Sequence, residues 1–300
     1  MGKYGTPGPL LRALRHVGAL LATLTVAAAS TGCADPATDD ADGAGVSPRI
    51  VSMVPALAEI TLALGGGEHL VARTDYDDHP ALVGLPSVGG GLDPSYEALV
   101  GLGIDLVLMS PAREAAAMQA RLEGLGIEML TLPTNTVADI YGAIERLGAL
   151  LGRDAAAVEL SESLRTGFSG LEVRLAERRP VDVLYVLGTD PPLTTGGGTF
   201  VDELIRLAGG RNVFDDQPPV WPTVGFETIV ARNPEVVLWP QSRDGSTTLD
   251  LIQAMPGWRD VPAVREGRVV FIDAASFNQP GPEMVESARS LAEALHPEVF

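Results

Sequence analysis

The chain holds a single cysteine, Cys33, so no internal disulfide can form and no second thiol is available as a nucleophile or cluster ligand. Histidine is scarce too: of four, His16 lies in the N-terminal apolar segment, which leaves only His69, His79 and His296. A zinc or manganese centre needs several histidines and carboxylates converging on one point, so no metal site is expected. Positive charge is the third shortage. Lys and Arg number 21 against 39 Asp and Glu, a formal charge of −18. A surface of that sign repels phosphate backbones and anionic headgroups, which excludes nucleic acid as a partner and a basic patch as a membrane attachment. Catalytic signatures are missing as well. There is no Gly-x-Ser-x-Gly elbow and no dinucleotide fingerprint, and the glycine-rich stretch Thr194-Thr-Gly-Gly-Gly-Thr-Phe lacks the lysine of a P-loop. That stretch opens a helical pattern and could cradle phosphate. Nothing else points to an enzyme, and no catalytic residue is expected.

The first 32 residues have the zones of an export signal. A start carrying Lys3, Arg12 and Arg15 precedes an apolar run over 17–29, too short for a comfortable membrane span, and then small residues lead to Cys33. Removing this segment leaves 18 basic against 39 acidic residues, a net charge of −21. The sequence Ala29-Ser-Thr-Gly-Cys33 resembles a bacterial lipoprotein signal, with Ser30 where a larger aliphatic is usual. The resemblance implies cleavage before a lipid-modified Cys33, export, and attachment to the outer face of the cytoplasmic membrane or a periplasmic location. A lone exposed thiol in an exported protein is a liability that lipidation removes. Residues 33–48 that follow are acidic and small, without an apolar period, and read as a flexible tether.

Beyond the tether, strand-like and helical patterns alternate. Strands are expected at 49–54, 69–72, 105–109 and 129–132, and helices at 57–64, 95–102, 113–125 and 137–151. The order then repeats, with strands at 182–186, 236–238 and 269–272 and helices at 200–207, 227–231 and 283–295. Alternation of this kind specifies α/β lobes around mostly parallel sheets. Two segments echo without gaps. Glu97-Ala-Leu-Val-Gly-Leu-Gly-Ile-Asp-Leu-Val-Leu aligns on Glu227-Thr-Ile-Val-Ala-Arg-Asn-Pro-Glu-Val-Val-Leu, and Glu59-Ile-Thr-Leu-Ala-Leu-Gly-Gly on Glu203-Leu-Ile-Arg-Leu-Ala-Gly-Gly. The expected organisation is an N-terminal lobe over 49–152, one long helix over 153–180 stopped at Pro180, and a C-terminal lobe over 181–300, with a ligand cleft between the lobes. A stiff helical strut implies a small range of opening.

Four stretches carry a family resemblance: Arg49-Ile-Val-Ser-Met-Val-Pro-Ala-Leu-Ala-Glu-Ile, Tyr76-Asp-Asp-His-Pro, the glycine-rich run from Gly188 to Glu203, and Trp221-Pro-Thr-Val-Gly-Phe-Glu. Together they resemble the ABC-importer binding proteins with one interlobe helix, which capture cobalamin, haem and ferric siderophores. The cobalamin branch is the most similar. The resemblance implies a monomer that binds cobalamin or a related corrinoid in the cleft, with haem as the alternative ligand, and delivers it to a transmembrane permease dimer driven by a cytoplasmic ATPase. A flat, mostly neutral ligand suits apolar walls with a few hydrogen-bond donors.

Carried over residue by residue, Tyr76 matches the N-lobe contact tyrosine, Trp221 the C-lobe contact tryptophan and Leu193 a position that can hold phenylalanine. Phe277 lies in the last cleft-facing loop. Gly91 is a departure, standing where the compared cobalamin proteins carry another tryptophan, which implies a pocket widened for a differently decorated corrinoid. Glu97 and Glu227 match the carboxylates that insert into arginine-lined pockets of the permease. Each also sits in a first helical turn, where a carboxylate is favourable without any partner. His79 is a candidate axial ligand to cobalt or haem iron, and Tyr76 a candidate phenolate ligand to haem iron. A ferric siderophore calls for converging arginines, and the sequence offers no such cluster.

Overall fold

The computed structural model describes residues 48–241 and 245–300. Cys33, the expected signal and all of the expected tether except Pro48 lie outside the described residues.

The first half runs β1 (Ile50–Ser52), α1 (Pro55–Ala63), α2 (Tyr96–Gly101), β2 (Leu106–Met109), α3 (Ala115–Glu123), β3 (Glu128–Thr131) and α4 (Val137–Leu150). Helix α5 (Asp154–Leu175) follows. The second half comprises β4 (Val181–Tyr185), β5 (Gly188–Thr189), β6 (Pro192–Leu193), α6 (Phe200–Leu207), β7 (Gly210–Asn212), α7 (Phe226–Arg232), β8 (Val236–Gln241), α8 (Leu249–Ala254), α9 (Pro262–Arg265), β9 (Val269–Asp273), α10 (Ala274–Asn278) and α11 (Met284–Leu295).

Each half builds an all-parallel sheet. The first has the order β1-β2-β3, with Leu70 bridged in parallel to Ile50 on the outer side of β1. The second has the order β7-β4-β8-β9. Counting the Leu70 rung as a strand, both sheets share one plan, in which the second segment flanks the first and the third and fourth follow on the other side. Strands β2 and β8 start at Leu106 and Val236, the same offset of 130 that separates Glu97 from Glu227. The sequence echo is therefore a duplicated α/β lobe.

The expected strand at 69–72 reduces to that single rung. Gly67–His69 is wound into a 3-10 turn, and Val71 donates to the Ile50 carbonyl before the chain swings off to pair Arg73 with Ser87. In the other lobe β7, Gly-Arg-Asn, takes the equivalent place although its sequence has no strand pattern.

Helix α5 is 22 residues long, about 33 Å. Its stripe of Ala157, Leu164, Phe168, Leu171 and Leu175 is buried, packing α5 against α4 of one lobe and against α6 and α11 of the other. One core runs without interruption from Ile50 and Leu57 through Leu164 and Phe168 to Val183, Phe200 and Leu291. Separate cores lie on the far face of each sheet, around Val107 and Met118 in the first lobe and around Val237 and Trp258 in the second. Because close-packed interiors resist continuous deformation, a shared core through the strut restricts the lobes to small relative motion.

Two direct bonds reinforce it. Phe200 donates its amide to the Asn135 carbonyl at 2.7 Å, and Val137, the first residue of α4, donates to Glu203 Oε2 at 2.6 Å. A carboxylate on α6 of one lobe thus serves the N-terminus of a helix in the other, where orphan amides and the helix dipole favour negative charge. Its echo Glu59 approaches the segment ahead of α11, with Oε2 only 3.2 Å from where a side chain on Gly281 would begin. Hydrogen bonds to charged groups are worth about 1.5–3 kcal/mol. At this half-buried site, Glu203→Ala is expected to lower stability by about 1.5 kcal/mol and Tm by about 3–6 °C. Urea and thermal unfolding check it; Glu203→Gln, which keeps an acceptor oxygen, should lose less.

Candidate functional site between the lobes

Open α/β sheets bind ligands at the carboxyl ends of their strands. In the C-terminal lobe that edge is aromatic. Trp221 is 40 % exposed, its ring 6.4 Å from those of Tyr185 and Phe200 and tilted to both. Phe277 lies beneath, 2 % exposed and stacked on Tyr185 at 6.0 Å. The structure thus makes Phe277 part of the base under Trp221 and leaves Trp221 as the exposed ring. Burial pushes the Tyr185 phenol above its ordinary pKa, against a smaller opposing effect of its bond to Asn278, so the group stays neutral and donates to Asn278 Oδ1.

The Trp221 segment is held by its backbone as firmly as by its rings. Thr194 donates to Pro222 O, Gly196 to Val220 O and Val224 to Pro192 O at 2.9–3.1 Å, and Leu193 bridges Thr223. Leu193, half-buried, therefore pairs with a residue two positions from Trp221. This also explains the glycine-rich stretch. A Cβ on Gly196 would stand 1.9 Å from Pro218 O and one on Gly197 2.1 Å from Asp215 O, so only glycine permits the two segments to close. The amides of Gly196, Gly197 and Gly198 are bonded to Val220 O, Gln217 O and Asp202 Oδ2. The stretch is a seat for the Trp221 segment and not a phosphate cradle.

In the N-terminal lobe Tyr76 is 67 % exposed. Its loop is braced by Asp77, whose buried Oδ2 accepts from the Thr74 amide and hydroxyl at 2.6 and 2.8 Å, and by Asp75, whose amide donates to Gly89 O. Gly90 passes close to the Tyr76 ring. Gly91 is buried, and a Cβ there would lie 2.5 Å from Met53 O at the end of β1. On this backbone the position admits no side chain, and Gly91 offers backbone only. The exposed apolar side chain of the turn is Leu92, 59 % exposed, which the sequence reading missed. Its only signal was its place directly after three glycines.

His79 stands apart from the aromatic cluster. Its Nδ1 accepts from the Ala81 amide at 3.1 Å, and the ring lines a groove of about 380 Å³ with Glu59, Leu62, Ala63 and, from the other lobe, Pro282 and Glu283. The other two histidines are built into the fold: Nδ1 of His69 lies 3.3 Å from Pro48 O and Nε2 of His296 3.0 Å from Gly209 O. Among the described residues no group of three His, Cys, Asp or Glu could hold a metal ion. Glu97 and Glu227 are exposed in the first turns of α2 and α7, and neither joins an ion pair with another described residue.

A family model described as periplasmic binding protein matches residues 50–275, a span that includes the first lobe, α5, most of the second lobe, and Tyr76, Gly91, Leu193 and Trp221. The chain belongs to the periplasmic binding protein family. As a periplasmic binding protein it captures a solute for transport and is not an enzyme. The ABC transporter substrate-binding lipoprotein YvrC of Bacillus subtilis (strain 168) is 27 % identical over 315 residues, covering 95 % of this chain and 99 % of its own. Among solved structures, the haem-binding protein BhuT in complex with two haems superposes with a TM-score of 0.72 at 29 % identity, covering 84 % of this chain and 99 % of that one. The vitamin B12 binding protein BtuF of Vibrio cholerae gives a TM-score of 0.69 at 26 % identity, with 83 % and 96 % covered. These likenesses place the two-lobed α/β fold beyond doubt and bring both cobalamin and haem into the comparison.

Proposed function

We propose that this periplasmic binding protein captures cobalamin or a related corrinoid between its lobes and delivers it to the transmembrane dimer of an ABC importer. The observation that carries this reading is Trp221, an exposed indole on a buried aromatic base, while the N-terminal lobe exposes Tyr76 and Leu92. Such walls suit a large, flat and mostly neutral ligand, since stacking and apolar area do the holding and the few polar groups orient it. Tyr76, Leu193 and Trp221 are the contacts, with Phe277 supporting from below and Gly91 contributing backbone. Glu97 and Glu227 dock on the permease. The protein acts as a monomer, tethered by a lipid on Cys33.

Haem is the alternative. Tyr76 and Nε2 of His79, which has no hydrogen bond to another described residue, are its candidate iron ligands. Calorimetric titration of residues 34–300 with cyanocobalamin and, separately, with haemin decides between them. One-to-one binding of cobalamin at micromolar affinity or tighter, about −8 kcal/mol, with haemin at least tenfold weaker, is expected. The reverse preference would assign the cleft to haem and make Tyr76 and His79 the residues to change.

A further inference from the structure

The two docking carboxylates do not stand alone on their helices. Three residues beyond Glu97 is Val100, 53 % exposed, and three beyond Glu227 is Val230, 38 % exposed. Residues three apart share a helix face, so each lobe presents a carboxylate with an aliphatic side chain one turn away, at matched positions.

The surroundings of the two pairs differ. In the C-terminal lobe the residue before the glutamate, Phe226, turns inward to meet Trp258 edge-on at 5.3 Å, and the chain closes over it so tightly that a Cβ on Gly257 would lie 2.4 Å from the Phe226 ring. In the N-terminal lobe the corresponding Tyr96 lies under the Arg121 guanidinium, 3.9 Å from its ring centre. Between α2 and α3 there remains an apolar groove of about 660 Å³, bordered by Glu97, Val100, Arg121 and Leu125, the last 44 % exposed. Its rims carry opposite charges, a carboxylate on one and a guanidinium on the other.

We infer that this groove is the apolar half of the N-lobe docking surface, an inference that rests on the docking role of Glu97. Its occupant is a segment of the transmembrane dimer that offers a cation to Glu97, an aliphatic side chain to the space between Val100 and Leu125, and a carbonyl or carboxylate to Arg121. Charge complementarity fixes that order, and the different settings of Phe226 and Tyr96 make the two ends of the docking surface unequal.

The test measures association of the full chain with the permease and its ATPase in nanodiscs. Leu125→Gln is expected to weaken association about tenfold, at unchanged affinity for cyanocobalamin and unchanged urea midpoint, while Leu125→Met binds as the wild type does. Val158→Gln, at a more exposed valine on α5, should have no effect. In about 1 M salt the loss from Glu97→Lys should shrink, since exposed charges are screened, whereas the loss from Leu125→Gln should persist. If Leu125→Gln associates normally while Glu97→Lys does not, the groove assignment is wrong and the docking reading stands. If both associate normally, the docking reading fails and takes the groove with it. Equal losses from the Gln and Met variants would also overturn the groove, because they would trace to altered packing.

Discussion

Trp221→Ala is expected to weaken ligand binding by roughly 10- to 100-fold while leaving the fold and the docking surface intact. An aromatic side chain of this class buries up to about 250 Å². With 40 % of it exposed in the free protein, closure of the lobes over a ligand removes on the order of 100 Å² from water, worth about 2.5 kcal/mol at ~25 cal/mol per Å². Uncovering Tyr185 and Phe200 in the variant returns part of this, because they offer a second aromatic surface below the first. Trp221→Phe should therefore retain most of the affinity. Stability should fall little, since the segment is fixed by backbone bonds to 192–196 that the substitution does not touch. Titration with cyanocobalamin, paired with urea unfolding, separates the two quantities. An affinity unchanged in Trp221→Ala would remove this ring from the site.

How much of this was legible in the sequence depended on which force shaped each part. Helices and strands whose burial follows a regular period were readable, as with the α5 stripe from Ala157 to Leu175 and the continuously buried β2. Elements set by tertiary context were not. Strand β7 carries Gly-Arg-Asn and is a strand only because β4 offers it a free edge. The β5 and β6 hairpin is too short to show an alternation. The site divides in the same way. Trp221 was legible through the family resemblance, yet its support is spread over Tyr185, Phe200 and Phe277, which no spacing connects. Glu203 was visible only as an echo of Glu59, and its bond to the start of α4 emerges when the lobes are packed together. At Gly91 the sequence shows only that a side chain is missing, whereas the close approach of Met53 O that requires glycine there emerges from the packed loop.

The double reversal Glu97→Lys/Glu227→Lys is expected to abolish uptake while ligand affinity stays at the wild-type value. Each carboxylate is exposed, lacks an ion pair with another described residue, and stands at the same offset on a duplicated helix. A two-fold symmetric partner with cations at matching positions would meet both together. A unit-charge pair at about 4 Å with an effective dielectric near 20 is worth roughly 4 kcal/mol, and reversal turns that attraction into repulsion at both ends. Even half of that at each site costs about 4 kcal/mol in total, close to 1000-fold in association. The competing explanation is local. A first-turn carboxylate stabilises its own helix by about 0.3–1 kcal/mol, so lysines there should lower the urea midpoint whether or not a permease exists. The two roles separate cleanly: a purely helical role moves stability in the isolated protein and leaves uptake nearly normal, whereas docking removes uptake at unchanged ligand affinity and shows a loss that grows weaker for the single reversals. The conservative pair Glu97→Gln/Glu227→Gln sharpens the distinction, since it removes attraction without adding repulsion and should leave a low but measurable rate of transport.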